Sequence, residues 1–331
     1  MPAFVTGGSG FVGGDLVRSL VADGIEVRAL ARSAPAAERI ATAGGGVVSG
    51  DVFAGDALAE AMRGCDVVYH VAGINQLCPR DPAALYRVNV DGTYRVVAAA
   101  ARAGVPRVVV TSSAAAIGEP RGVVATEDTE HSGRFVSHYA RSKKLGEDAA
   151  FAAGRRFGID VIAVNPSSVQ GPDRTDGSAR LLHAAVRTRW PLIVDTTVSL
   201  VDISDCTEGH RGAAQRGRPG RRYLLSGGAA TLATIVGWFG EVTGRTHRPI
   251  TIPRWLLSSG TPLLWLGHRV AGGEVCPELV ATLLHGHIVD GSRATRELGL
   301  DYTPLTATVR RAAGGSAVRA RLPKPRTLRS S

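Results

Sequence analysis

Apolar residues in this chain fall in short continuous runs separated by amphipathic stretches, and the alternation is regular through the first half. The runs at 3–5, 27–30, 47–49, 67–71, 108–111 and 161–164 are too short for helices and lack polar alternation, which predicts strands buried on both faces. Between them, stretches 15–22, 36–43, 57–62, 92–103 and 139–157 place apolar residues at helical spacing. Gly104 followed by Pro106 stops one of these helices, and Gly158 stops another. Such alternation predicts an α/β protein with a doubly wound parallel sheet covered by helices on both sides. The pattern loosens after Pro166, which predicts a smaller C-terminal lobe. In that lobe 231–242 reads as a helix, with Thr231 near its N-cap and Gly244 past its end.

Between the first strand and the first helix stands Thr6-Gly7-Gly8-Ser9-Gly10-Phe11-Val12-Gly13. Gly7 permits a tight turn, Gly10 lets backbone approach a pyrophosphate, and Gly13 lets the helix press on the strand. The helix N-terminus then offers free N–H groups and the positive end of its dipole, so this is a candidate Rossmann dinucleotide cradle. At the end of the second strand, NAD binders place an acid that holds the ribose 2′-hydroxyl. Here that position is Ala31, and Arg32 follows. Without the carboxylate a 2′-phosphate is not repelled, and a guanidinium can bind it through two hydrogen bonds. NADP is therefore the expected cofactor, with NAD possible.

Arginine supplies nearly all the positive charge; the lysines are Lys143, Lys144 and Lys324. Lys143 stands four residues after Tyr139, on the same face of the predicted helix 139–157. An ammonium so close is expected to lower the phenol pKa and make Tyr139 a proton donor or acceptor near neutral pH.

The glycine motif, Thr111-Ser112-Ser113 after a strand, and Tyr139-x-x-x-Lys143 together resemble the extended short-chain dehydrogenases/reductases. The chain is most similar to the branch of dihydroflavonol reductases and 3β-hydroxysteroid dehydrogenases within the NAD-dependent epimerase/dehydratase family. The resemblance runs over about residues 1–310, with further pieces at Gly50-Asp51-Val52, His70-Val71-Ala72-Gly73, Tyr86 to Thr93 and Asn165 to Pro172. It implies a dinucleotide-binding domain of residues 1–166 and about 196–228, to whose sheet 200–202 and 222–225 return. The substrate lobe would be 167–195 and 229–310. Ser113, chosen over Ser112 because it precedes Gly118 by five residues as the family pattern requires, would hold the substrate oxygen. Tyr139 would exchange a proton with that oxygen, and Lys143 would hold the nicotinamide ribose and lower the tyrosine pKa. Gly7, Gly10, Phe11, Val12, Gly13, Arg32, Asp51, Val52, Ala72, Gly73, Thr111, Pro166 and Val169 would surround the cofactor, with Asp51 at the adenine amino group. Asn75, Ala114, His138 and Gln170 would face the substrate. Asn89 resembles a family asparagine on the neighbouring helix, in packing or in catalysis.

Three activities are compatible with these residues. The first is an NADP-dependent ketone reductase or secondary-alcohol dehydrogenase for a mid-sized apolar small molecule, in keeping with Trp190, Trp238, Trp255, Leu256, Leu257, Leu263, Leu264 and Trp265 in the lobe. The second is a nucleotide-sugar epimerase that retains its cofactor, weakened because the family's asparagine after Gly171-Pro172 is missing. The third is a dinucleotide sensor without turnover. Dehydration is disfavoured, since Ala114, Ala115 and Ala116 supply no second acid. Relatives dimerise through helices equivalent to 92–103 and 139–157, so a homodimer is expected.

The 331 residues suffice for one large and one smaller unit, and their formal charge is +10. Residues 310–331 carry seven basic side chains and no acidic one, and are expected to be a disordered, solvated tail with no nucleic-acid partner. The start reads directly as a strand rather than a signal peptide, and the apolar stretch 255–266 is too short to span a membrane. Cys65, Cys78, Cys206 and Cys276 are scattered and read as reduced thiols of a cytoplasmic protein without a metal.

Overall fold

The computed structural model describes residues 2–174, 186–253 and 276–315. Seven parallel strands form the central sheet: β1 (Ala3–Thr6), β2 (Val27–Ala31), β3 (Gly46–Ser49), β4 (Val67–His70), β5 (Arg107–Thr111), β7 (Asp160–Pro166) and β11 (Arg222–Leu225), with β6 (Val124–Ala125) lying outside it. Their spatial order is β11-β7-β5-β4-β1-β2-β3. The chain winds outward in one direction from β1 to β3 and in the other from β4 to β11. The β1–β4 junction is therefore the point where loops at the strand ends part and leave a crevice.

Successive residues of each strand feed opposite cores, as a pleated strand must. Ala3, Val5, Tyr69, Val109, Ile162 and Val164 enter one cluster with Leu16, Val17 and Leu20 of helix α1 (Phe11–Ala22) and Ile40 of α2 (Ala34–Thr42). Phe4, Val68, Val108, Val110 and Val161 enter the other. There they meet Leu58 and Met62 of α3 (Asp56–Met62), Val96, Val97 and Ala100 of α5 (Thr93–Arg102), and Ala150 and Ala153 of α6 (His138–Phe157), while α4 (Pro82–Tyr86) lies ahead of α5. Each fully buried leucine, such as Leu16, contributes about 1.5–3 kcal/mol over an exposed one. The expected strands are all present. Helix α1 starts at Phe11 rather than 15, because Gly13 and Gly14 are accepted in a helix whose first turn is pressed on the sheet.

Beyond the sheet lie β8 (Ser168–Gln170), β9 (Leu192–Val194), β10 (Thr197–Asp202), β12 (Gly228–Thr231), β13 (Ile250–Ile252) and β14 (Ile288–Val289). Residues 200–202, expected in the central sheet, pair instead with β8, in a three-stranded sheet ordered β12-β10-β8. The reason is geometric: β11 already occupies the edge of β7, and β8 continues the chain past Pro166 with free edges. Helix Leu232–Thr243 forms as expected, with Thr231 Oγ1 accepting from Thr234 N at 3.1 Å and Gly244 left-handed. Helix Leu305–Gly314 packs on it through Val309, Ala312 and Ala313, and Arg311 reaches buried Asp202 at 3.0 Å. The expected tail therefore does not begin at 310; Arg310 and Arg311 lie on a folded helix because its apolar face is covered. The rest of the tail, and Trp255 to Trp265, lie outside the described residues.

Cys78 and Cys276 form a disulfide across 198 residues, with Cα atoms 6.4 Å apart. This corrects the reading of all four cysteines as free thiols, on which the cytoplasmic expectation rested; Cys65 and Cys206 are free and buried. Among the described residues no helix is long and apolar enough to cross a membrane.

Candidate active site at the strand ends

The turn after β1 is dictated by contact. Gly7 holds φ +75°, and a methyl group there would lie 2.6 Å from the Ala72 nitrogen past the end of β4. A methyl on Gly13 would run into the Gly7 carbonyl oxygen. Gly10 donates to that oxygen at 3.0 Å and caps α1 without a side chain, and the first turn of α1 holds no acid. The leading N–H groups of this 12-residue helix therefore have no side-chain cap, and their charge and donor set fit a diphosphate. Phe11 and Val12 are half-buried at the same turn.

Arg32 follows Ala31 at the end of β2, exposed and free of ion pairs among the described residues. Arg28, by contrast, donates to the Ala61 carbonyl at 3.1 Å and is tied to α3. Asp51 accepts from Phe53 N at 2.8 Å, so its carboxylate shapes the turn after β3 while Val52 sits in the core. These groups line one side of the crevice and could hold the adenosine end of a dinucleotide.

On the other side, the ends of β4 and β5 meet α6. Ala72 N donates to Thr6 Oγ1 at 3.3 Å, and a methyl on Gly73 would lie 3.7 Å from Lys143 Nζ. Lys143 donates to the Thr111 carbonyl at 2.6 Å, and Thr111 Oγ1 lies 2.8 Å from His210 Nε2. Burial pulls the Lys143 pKa down to about 8, with the charge of Glu147 one turn later opposing it. Ser113 accepts from Ala115 N at 3.2 Å, and its hydroxyl is near enough to the Tyr139 phenol to favour the phenolate. Burial raises the phenol pKa above its usual value, against the Ser113 hydrogen bond and the charge of Arg174. The expectation that Lys143 lowers it is corrected: the ammonium is engaged by a strand-end carbonyl and is not among the groups that shift the phenol.

The supports of these groups are polar and buried. Asn165 Nδ2 joins the Ser113 carbonyl at 3.1 Å to Glu147 Oε2 at 2.6 Å, and Arg222 closes on Glu147 at 2.7 Å. Asn89 sits in a π-helical turn, Arg87–Gly92. Its amide binds both the N–H and the carbonyl of Ile74, at 2.8 and 3.0 Å, and donates to Ser142 on α6 at 2.9 Å. It thus pins the loop after β4 to α6. His70 is held between Thr6 and Thr93, and burial drives its pKa down to about 3, so it is neutral.

The expected substrate residues scatter. Asn75 is exposed on the loop after β4. His138, directly before Tyr139, pairs its ring with the Tyr86 hydroxyl at 3.0 Å. Gln170 is buried and donates to Ser168 at 2.8 Å. Ala114 is buried in a core cluster with Ile117, Ala125, Leu224 and Val289. Pro166 and Val169 are buried beside it, at the end of β7 and within β8.

Three features had no signal in the sequence. Arg174 stacks over the Phe11 ring at 5.3 Å, donates to the Val169 carbonyl and places a cation near the phenol, although its segment carries no motif. Glu119, just beyond Gly118, accepts from His287 at 2.7 Å and lies 3.8 Å from His285. Burial would raise that carboxyl, but the His287 hydrogen bond and the two histidine charges hold it below its usual range. Glu278 joins the loop after β4 to α6, from a distant helix.

The sequence pattern of the NAD dependent epimerase/dehydratase family matches residues 3–225. A "Putative dihydroflavonol 4-reductase" of Synechocystis sp. is 34% identical over 317 residues, covering 91% of this chain and 90% of its own. A "4-hydroxy-2-methyl-3-oxo-4-farnesyl-3,4-dihydroquinoline-1-oxide ketoreductase" of Stigmatella aurantiaca is 34% identical over 69% of each chain. The crystal structure of gox2253 superposes with a TM-score of 0.85 at 28% identity, over 97% of this chain and 99% of that one.

Proposed function

Because this chain belongs to the NAD dependent epimerase/dehydratase family, as an NAD(P)-dependent enzyme of the extended short-chain dehydrogenase/reductase type, we propose that it interconverts a ketone and a secondary alcohol on a mid-sized, largely apolar molecule, with NADP as its cofactor. The observation that carries this reading is the convergence of Ser113, just past the end of β5, with Tyr139 and Lys143, one turn apart at the start of α6, the Lys143 ammonium being held on the Thr111 carbonyl two residues before Ser113. The reductase and ketoreductase named above support the same chemistry.

When bound, the nicotinamide supplies the hydride in reduction and accepts it in oxidation. The chain's own residues do the rest. The turn of Gly7, Gly10 and Gly13 and the start of α1 hold the diphosphate. Arg32 takes the 2′-phosphate, on which the choice of NADP rests. Lys143, an ammonium with three donors, would hold the ribose hydroxyls. Ser113 orients the substrate oxygen by hydrogen bond. Tyr139, kept protonated at neutral pH by its burial, donates the phenol proton to that oxygen in reduction.

The test is a panel of ketones and secondary alcohols, with nicotinamide absorbance followed for NADPH and NADH in parallel. Turnover of an apolar ketone with NADPH favoured is the expected result. A dinucleotide that survives dialysis, with no net oxidation or reduction of any panel member, would replace this reading with the epimerase one.

A further inference from the structure

Helix Pro277–His285 approaches the site through one carboxylate and one sulfur. Glu278 Oε2 accepts from Cys78 N at 2.5 Å, on the loop after β4, and Oε1 accepts from His138 N at 2.7 Å. His138 is the first residue of α6 and the neighbour of Tyr139, so a negative charge sits at the dipole-positive start of that 20-residue helix. Glu278 N donates back to Cys78 Sγ at 3.4 Å, and Cys276 bonds to the same sulfur. The contact closes on itself, since the His138 ring meets Tyr86 of α4 and Asp81 of the same loop caps α4. Cys78 is held at φ +47°, a left-handed backbone that a non-glycine residue keeps only where its surroundings impose it.

Resting on the reading of the site as a ketone reductase, we propose that Glu278 and the Cys78–Cys276 disulfide are positioning residues for the substrate side of the site. They form a clasp that sets the loop after β4 and the start of α6, and a thiol reductant releases it. The groups assigned to the diphosphate and adenosine lie elsewhere: Gly7 to Gly13, Arg32 and Asp51 stand at the ends of β1, β2 and β3. Release therefore acts on the substrate side and leaves the diphosphate and adenosine positions intact. The loop keeps its anchor at Ile74 through Asn89, so it loosens from Asn75 onward. Cys276 is only 5% exposed while Cys78 is half-buried, so an attacking thiolate reaches the Cys78 sulfur. A dithiol delivers two electrons and two protons. The Sγ–Sγ bond breaks, Cys78 and Cys276 become thiols, and the dithiol closes to its own disulfide.

The experiment uses the full chain purified without reductant, before and after dithiothreitol treatment and alkylation of the freed thiols. Mass spectrometry is expected to find the peptide linked through Cys78 and Cys276 before treatment and not after. Hydrogen exchange at residues 75–82 and 138–142 is expected to quicken about tenfold on reduction, while residues 7–16 stay unchanged. With the best ketone of the panel, reduction should raise KM about tenfold and change kcat and the NADPH Kd less than twofold. The Cys78→Ser/Cys276→Ser variant should show the raised KM under both conditions. Glu278→Gln, which keeps one acceptor and loses the charge, should give a smaller rise that Glu278→Asp partly restores. Absence of the linked peptide, unchanged exchange on reduction, or an unchanged KM each overturns the clasp. If no ketone is turned over, the reductase reading fails by itself, and the clasp stands or falls on the linked peptide and the exchange rates.

Discussion

The two walls of the crevice are held by different means. At the glycine turn, where a diphosphate would sit, backbone does the work: a left-handed glycine at 7, a glycine helix cap at 10, and strand ends spaced by their parallel pairing. Around β5 and α6, side chains from distant segments do it. Glu147 meets Arg222, Glu119 meets His287, Glu278 meets Cys78 and His138, and Cys78 meets Cys276. A backbone site changes little when one side chain is replaced, whereas a side-chain site comes apart at single partners. Binding of the cofactor and turnover of the substrate should accordingly be separable by mutation.

The largest separation should come from Tyr139→Phe. Loss of the phenol proton is expected to lower turnover by about 10³-fold, within the range for general acids, with NADPH affinity within about twofold of wild type by fluorescence titration, as a backbone-held site requires. Turnover unchanged in that variant would remove the tyrosine from the chemistry. A middle-sized effect should appear with pH. The Lys143 ammonium, with its pKa near 8, is the form that would donate to ribose hydroxyls in the proposed complex. Affinity for NADPH should be flat below pH 8 and weaken as pH rises above it, by at most about tenfold per unit because a single proton is linked. Lys143→Met should abolish that slope, and a slope that survives in the variant would assign the proton elsewhere. The smallest effect is expected from Arg32→Ala, which should weaken NADPH by about tenfold, the worth of one exposed charge-assisted contact, and NADH hardly at all. Equal weakening of both would end the case for NADP.

The same contrast decides what could be read from the sequence. Gly7, Gly10 and Gly13 announce themselves because the constraint on each is local, and Tyr139 and Lys143 because one helical turn separates them. Six strands of the seven-stranded sheet were legible for the same reason, since two-faced burial leaves continuous apolar runs, while the seventh, Arg222–Leu225, was expected only from the family resemblance. Cys78 and Cys276 gave no sign of each other, because a contact across 198 residues leaves no period to detect. The pairing of β10 with β8 depended on which sheet edge was vacant, a property of the assembled sheet and of no single strand. The phenol pKa went wrong for a related reason. Spacing on a helix tells which groups share a face, but the Thr111 carbonyl that engages the Lys143 ammonium arrives from another strand.

The widened turn at Arg87–Gly92 has a consequence for the helix it interrupts. A π turn accommodates one more residue than the regular coil, so it offsets everything after it by roughly 100° about the axis. Within the turn, Asn89 aims its amide at Ile74; beyond it, Val96, Val97 and Ala100 still meet the sheet. Excising a single residue from this turn would bring the two segments back into phase. It would then force a choice between seating the valines and seating the amide, in a helix that now does both.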